Sequence, residues 1–148
     1  MATSIWDFAL TESPLLLPPR QESTGAGAVV DFHGVVRGME GTVVIEGIDY
    51  EWHPGMALRQ LERIAAEAAQ KYPLLPGCIL HHRVGFVPAG ESSLVLRVCC
   101  AHRGPALAAT GWLVERLKQV VPIWKLPRRR QDSFPEQILS LDDTKVLR

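Results

Sequence analysis

The apolar positions of this chain change their period several times between residues 28 and 126, and each change marks a predicted element. Ala28-Val29-Val30-Asp31-Phe32-His33-Gly34-Val35-Val36-Arg37 is β-branched and aromatic, and runs into residues 38–41 with glycine at both ends. That pattern predicts a strand closed by a glycine loop. Over residues 42–52, Val44, Glu46, Ile48 and Tyr50 alternate with Val43, Ile45, Gly47 and Asp49. Gly47 interrupts the character of the run, so a strand with a bulge or bend is expected.

His53-Pro54-Gly55 opens the clearest helical pattern. Ala57, Leu58, Leu61, Ile64, Ala65, Ala68 and Tyr72 form the apolar side, Arg59, Glu62, Arg63 and Glu67 the polar one, and Pro73 stops it. Two strand-like runs follow, residues 78–87 and 92–101. Between them lies Pro88-Ala89-Gly90-Glu91, turn chemistry that predicts a hairpin. A second helix is expected from Gly104-Pro105, with the proline at its first helical position. Its stripe is Ala106, Ala109, Leu113, Leu117 and Val120 or Val121, and Pro122 ends it. Ile123-Trp124-Lys125-Leu126 predicts a short strand before a polar tail, residues 127–148.

The start of the chain is less patterned. Residues 5–10 fit an edge strand or a short helix, and Pro14, Pro18, Pro19 and the small residues 23–27 read as loop. The element order implies one α+β domain over residues 1–148, with helices packed on a mixed or antiparallel sheet. Residues 1–26 form its N-terminal strand and loop, and 127–148 its tail.

Composition narrows the function. The chain has 148 residues, 47% hydrophobic and 22% charged, with 16 basic and 16 acidic side chains. A zero net charge gives the whole molecule no electrostatic reason to bind nucleic acid or an anionic membrane, so anion binding must come from local clusters. No apolar run reaches the length of a membrane span, and Leu15-Leu16-Leu17 is too short for a signal segment. Cys78, Cys99 and Cys100 offer neither a disulfide framework nor a metal knuckle, which points to a reducing cytoplasmic compartment. His81 and His82 are adjacent in a predicted strand and face opposite ways, so no metal site is expected. Arg128-Arg129-Arg130 lacks interleaved aromatics and reads as a solvated tail rather than a nucleic-acid patch.

Two local basic clusters remain. Lys118 and Lys125 flank the helix stop at Pro122, and His102-Arg103 sits where a strand gives way to a helix. Lys118 in a last helical turn would also suit the macrodipole, but cations at a helix start oppose it. Guanidinium groups grip phosphate or carboxylate through paired hydrogen bonds. A lysine buried beside other cations has a depressed pKa and can exchange protons near neutral pH.

Four stretches occur in order and with nearly ungapped spacing: residues 27–37; Asp49-Tyr50-Glu51-Trp52-His53-Pro54-Gly55-Met56-Ala57; His82-Arg83-Val84-Gly85 with Gly90-Glu91; and Ala101-His102-Arg103 through Leu117-Lys118 to Pro122-Ile123-Trp124-Lys125. Together they resemble the catalytic large subunit of molybdopterin synthase. The resemblance implies an α/β hammerhead-type fold with an additional antiparallel β subdomain. It also implies sulfur transfer that converts cyclic pyranopterin monophosphate to molybdopterin, without a bound cofactor. The sulfur would come from the C-terminal thiocarboxylate of a separate small ubiquitin-like subunit ending in Gly-Gly. This chain ends Lys145-Val146-Leu147-Arg148 and is not expected to be its own carrier. A homodimer within a heterotetramer is implied as well.

By the same resemblance Lys118 and Lys125 are the catalytic pair, and Arg37, His102 and Arg103 bind substrate; Phe32 and Met56 are expected to serve packing or to wall the pocket. The run Arg128-Arg129-Arg130 would border the substrate phosphate. Two positions depart from the family pattern. Leu126-Pro127 stands where a basic residue and a glutamate commonly follow the Trp-Lys pair, and Gly38 stands where an asparagine is common. These departures motivate an alternative: a non-catalytic paralogue that binds the small subunit for assembly.

Overall fold

A computed structural model describes residues 5–20 and 24–130. Its elements are β1 (Ile5–Thr11), β2 (Ala28–Val35), β3 (Met39–Glu40), β4 (Val43–Trp52), α1 (Pro54–Lys71), β5 (Gly77–Arg83), β6 (Gly85–Pro88), β7 (Ser92–Cys100), α2 (Arg103–Val120) and β8 (Ile123–Arg129). The fold is mixed α+β, as the element order implied. No helix among the described residues is long and apolar enough to cross a membrane.

One sheet has the order β1-β5-β7-β2, with β1 parallel to β5 and the other pairs antiparallel. Its alternating side chains decide which face is covered. Leu80, Leu94, Leu96 and Val98 share a core with Leu61 and Ile64 of α1 and with Ala106, Ala109 and Leu113 of α2. The opposite face carries Asp31 and Arg97, whose bidentate pair spans β2 and β7 at 2.7 and 2.9 Å. Arg97 also donates to the Pro18 carbonyl at 2.6 Å, which ties the loop after β1 to the sheet.

α1 begins where its sequence provides a start. His53 is the N-cap, its Nδ1 accepts from the Met56 amide at 3.4 Å, and Pro54 occupies a position whose missing donor costs nothing. Ala57, Leu61, Ile64 and Ala68 are fully buried, whereas Leu58, expected on the same stripe, is exposed. α1 and α2 lie antiparallel. Arg116 of α2 grips Glu67 of α1 at 2.8 and 3.1 Å, and Tyr72 just beyond α1 meets Trp112 edge-on.

In the second sheet β4 pairs with β3, β6 and β8. Val36, Ile45, Ile48, Tyr50 and Val87 form a smaller core there. The bulge expected near Gly47 is present as a register shift between Ile45 and Gly47 against β8. Its effect is visible in burial: Ile45 is inside, Glu46 outside, and Gly47 and Ile48 are both inside. The extra residue reverses the in-out phase, so Tyr50 and Ile48 reach the core that Ile45 also reaches.

Four local expectations need correction. Residues 78–87 are two strands: Gly85 takes a φ of +78°, a left-handed backbone that suits glycine, and the chain changes sheets there. β5 keeps the predicted pairing with β7, from Cys78 opposite Val98 to His82 opposite Leu94, while β6 leaves it for β4. The predicted loop at residues 38–41 contains β3, which folds back on β4 around Gly41 at φ +59°. α2 starts at Arg103, so Pro105 is its third residue. β8 continues through Pro127 to Arg129 because only one side of it is paired, and a proline is tolerated where no donor is needed. The rest of the expected tail, residues 131–148, lies outside the described residues.

Candidate functional site

The chain direction of each element decides which basic residues meet. β7 runs from Ser92, opposite Val35, to Cys100, opposite Ala28. After a two-residue connection α2 returns antiparallel across β7 and β2, so its C-terminal Lys118 comes back to the Val35 end, where Arg37 follows. α1 is antiparallel to α2, which brings His53 and Met56 to that end as well. Lys125 follows the turn at Pro122, whose carbonyl accepts from the His53 amide at 3.4 Å.

Arg37, Met56, Lys118 and Lys125 are therefore gathered at one end of the molecule. His102 and Arg103 are not. They stand at the start of α2, and the fifteen residue steps from Arg103 to Lys118 rise by about 22 Å along the helix. The His102 side chain makes no capping bond. Phe32 lies midway along β2 opposite Leu96 and packs against the main core. Met56 is exposed and lines a shallow open groove with Arg59, Gln60 and Arg63.

All five predicted basic residues are exposed in the single chain. None of their side chains forms a hydrogen bond or ion pair with another described residue. The cations are thus present and uncommitted, and burial of the lysines is not a property of one chain alone. Arg128 differs: its guanidinium is engaged by Asp49 at 2.6 and 2.9 Å and lies over the Phe86 ring. The expectation of a merely solvated arginine run fails at this residue.

The backbone before Arg37 is well held. Val36 donates to the Glu91 carbonyl at 2.9 Å and receives from the Gly90 amide at 2.7 Å. The Glu91 carboxylate in turn accepts from Arg83 at 2.9 Å. Through these bonds the turn at residues 88–91 sets the direction in which the chain leaves β2.

Under Lys125 lies His82, a polar group that belongs to one of the family-like stretches but has no role assigned from the sequence. Lys125 is the cross-strand partner of Tyr50, and such partners share a face. The Tyr50 ring meets the His82 ring edge-on, with centroids 5.2 Å apart. His82 is 7% exposed, and its Nδ1 donates to the Arg83 carbonyl at 2.6 Å, which fixes the tautomer. Burial pushes the imidazole down from 6.5 to about 4; the bond to Arg83 opposes this and the Lys125 charge adds to it. Burial also raises the Tyr50 phenol above its ordinary value, partly offset by the neighbouring Ser93 hydroxyl. Both groups stay neutral at pH 7 and add no charge beneath the lysine. No local spacing revealed this pair, since Tyr50 and His82 meet only through the sheets.

The His82 shift has a stability consequence. The unfolded chain takes up this proton near 6.5 and the folded chain only near 4, so the unfolded state binds more protons between those values. The contribution is complete above pH 6.5 and is lost as the pH falls toward 4, by up to about 3 kcal/mol. Urea denaturation across that range should show the loss, and a His82→Gln chain should lack this component. An unchanged pH profile in the variant would reject it.

Comparison with known proteins identifies the family. The family described as MoaE protein matches residues 10–120. The molybdopterin synthase catalytic subunit of Nostoc sp. is 33% identical over 121 residues, covering 80% of this chain and 73% of that one. The crystal structure of molybdopterin synthase from Staphylococcus aureus is similar with a TM-score of 0.75 and 28% identity, over 83% of this chain and 91% of that one. A protein-protein complex of subunits 1 and 2 of molybdopterin-converting factor from Helicobacter pylori shares the fold, with a TM-score of 0.58 and 23% identity over 73% of this chain and 74% of that one.

Proposed function

The chain belongs to the MoaE family of molybdopterin synthase catalytic subunits, and on that premise we propose that it converts cyclic pyranopterin monophosphate to molybdopterin by sulfur transfer. The observation that carries the reading is the convergence of Lys118, Lys125 and Arg37, uncommitted to other side chains, at one end of the sheet. Sulfur arrives as the C-terminal thiocarboxylate of a separate small ubiquitin-like subunit. The two-subunit complex solved for the Helicobacter pylori protein is in keeping with such a partner.

Substrate and sulfur donor are both anionic at the groups that must be held, a cyclic phosphate and a carboxyl-derived terminus. Arg37 binds one of these anions, and Lys118 and Lys125 move protons and stabilise the charge that develops as sulfur is added. His102 and Arg103 complete the anion site from a second copy of the chain. With about 22 Å of helix between Arg103 and Lys118, one protomer cannot offer both ends to one small substrate. A homodimer that brings the start of one α2 to the end of the other removes this difficulty, and also shields the lysines that are exposed in one chain. Met56 then lies at the pocket's wall, and Phe32 supports it from the core side.

We assign the two-helix layer to the α/β hammerhead type, with β3, β4, β6 and β8 as its antiparallel subdomain. The reaction needs no further cofactor and takes place in the cytoplasm. Mixing this chain with thiocarboxylated small subunit and cyclic pyranopterin monophosphate should yield molybdopterin, detected as its fluorescent oxidation product. A stable complex that forms no product would reject the enzyme and favour the non-catalytic paralogue.

A further inference from the structure

β8 carries Lys125, and its backbone is secured on one side only. Among the described strands it pairs with β4 alone, and from Trp124 to Arg129 its residues are exposed. Pro127 within it has no amide to donate. The register of β8 also matters more than that of most edge strands. A slip of one residue would turn Lys125 to the opposite face, away from Tyr50 and His82. The bulge between Ile45 and Gly47, beside this pairing, is a natural place for a slip to begin.

At that point the side chains interlock. Arg128 stands opposite Gly47, and its Nε and Nη2 donate to Asp49 Oδ2 and Oδ1 at 2.9 and 2.6 Å. Asp49 is opposite Leu126 on one side and Phe86 on the other. The Arg128 guanidinium carbon is 3.8 Å from the centre of the Phe86 ring. Gly47 makes room for that ring: a Cβ there would lie 2.8 Å from a Phe86 ring carbon and would also strike the Val87 carbonyl.

We propose that Gly47, Asp49, Phe86 and Arg128 form a clamp that sets the register of β8 and so positions Lys125, an inference resting on the assignment of Lys125 as a catalytic residue. Arg128, held by Asp49 and Phe86, acts in this scheme as a positioning residue, through the register of β8. The two-pronged bond fixes distance along the strand, and the ring contact fixes the side of the sheet on which the guanidinium lies.

The test is amide exchange and steady-state kinetics on the full-length chain with its small subunit. In Asp49→Asn and Arg128→Gln, the amides of residues 124–126 should exchange about tenfold faster, while those of β5 and β7 keep their protection. Turnover should fall by about ten- to a hundredfold with little change in KM. Arg128→Lys retains charge and ring contact without the bidentate bond, and should fall between; it also remains informative if Arg128→Gln loses the fold. Unchanged exchange at residues 124–126 in Asp49→Asn and Arg128→Lys overturns the clamp, whatever the turnover. Faster exchange with wild-type turnover overturns its link to Lys125. Wild-type turnover in Lys125→Ala would instead defeat the catalytic assignment, leaving the exchange result to decide the clamp.

Discussion

Replacing Lys118 or Lys125 by alanine should lower the rate of molybdopterin formation by about 100- to 10,000-fold, the usual range for loss of a positioned proton-transfer group. The fold should survive, because both side chains are exposed and bonded to no other described residue. Lysine-to-arginine replacement separates two roles: it keeps the positive charge but removes the primary amine that would hand over a proton during the reaction. A lysine that only binds an anion should tolerate arginine better than one that transfers a proton. Co-assembly adds a geometric check. Arg103→Ala and Lys118→Ala chains, each nearly inactive alone, should together regain part of the activity, since one mixed site would then receive intact groups from both copies. Wild-type rates in both lysine variants would reject the site, and absence of recovery in the mixed dimer would reject its division between two chains.

The second large effect concerns stability. Leu96 lies at the centre of the four-stranded sheet, opposite Leu80 on one side and Phe32 on the other, and it is fully buried beneath the helices. Leu96→Ala should destabilise the fold by about 3–5 kcal/mol, through lost transfer energy and a cavity that a sheet paired on both sides cannot close. Leu107→Ala, on the exposed face of α2, should change stability by less than about 0.5 kcal/mol. Chemical denaturation of the two variants compares them directly. Similar losses would mean that the core is not centred where the structure puts it.

Much of this was readable from residues close together in the chain. The spacing of Ala57, Leu61, Ile64 and Ala68 declared α1 and its buried side, His53-Pro54 its start, and Gly47 the irregularity in β4. These features follow from backbone sterics and helical periodicity, which act over a few residues. Leu58 fits the same spacing but is exposed, because the stripe is wider than the surface available to cover it. The split at Gly85 is not legible locally for a related reason: an apolar run looks the same whether it stays in one sheet or crosses to another.

The candidate site divides along the same line. Sequence alone singled out Lys118 and Lys125 around Pro122, the basic pair His102-Arg103 and the strand-end Arg37, through local chemistry and family resemblance. It could not say that α2 holds Arg103 and Lys118 apart, because that depends on an unbroken helix and its rise per residue. Nor could it place Tyr50 and His82 beneath Lys125, or pair Arg128 with Asp49 across 79 positions of chain. Those contacts depend on strand register, and register is decided by which side chains can be buried together once distant segments meet. The chain by itself determined which groups are available for chemistry; the tertiary structure decided which of them share a place, and which side of a strand each occupies.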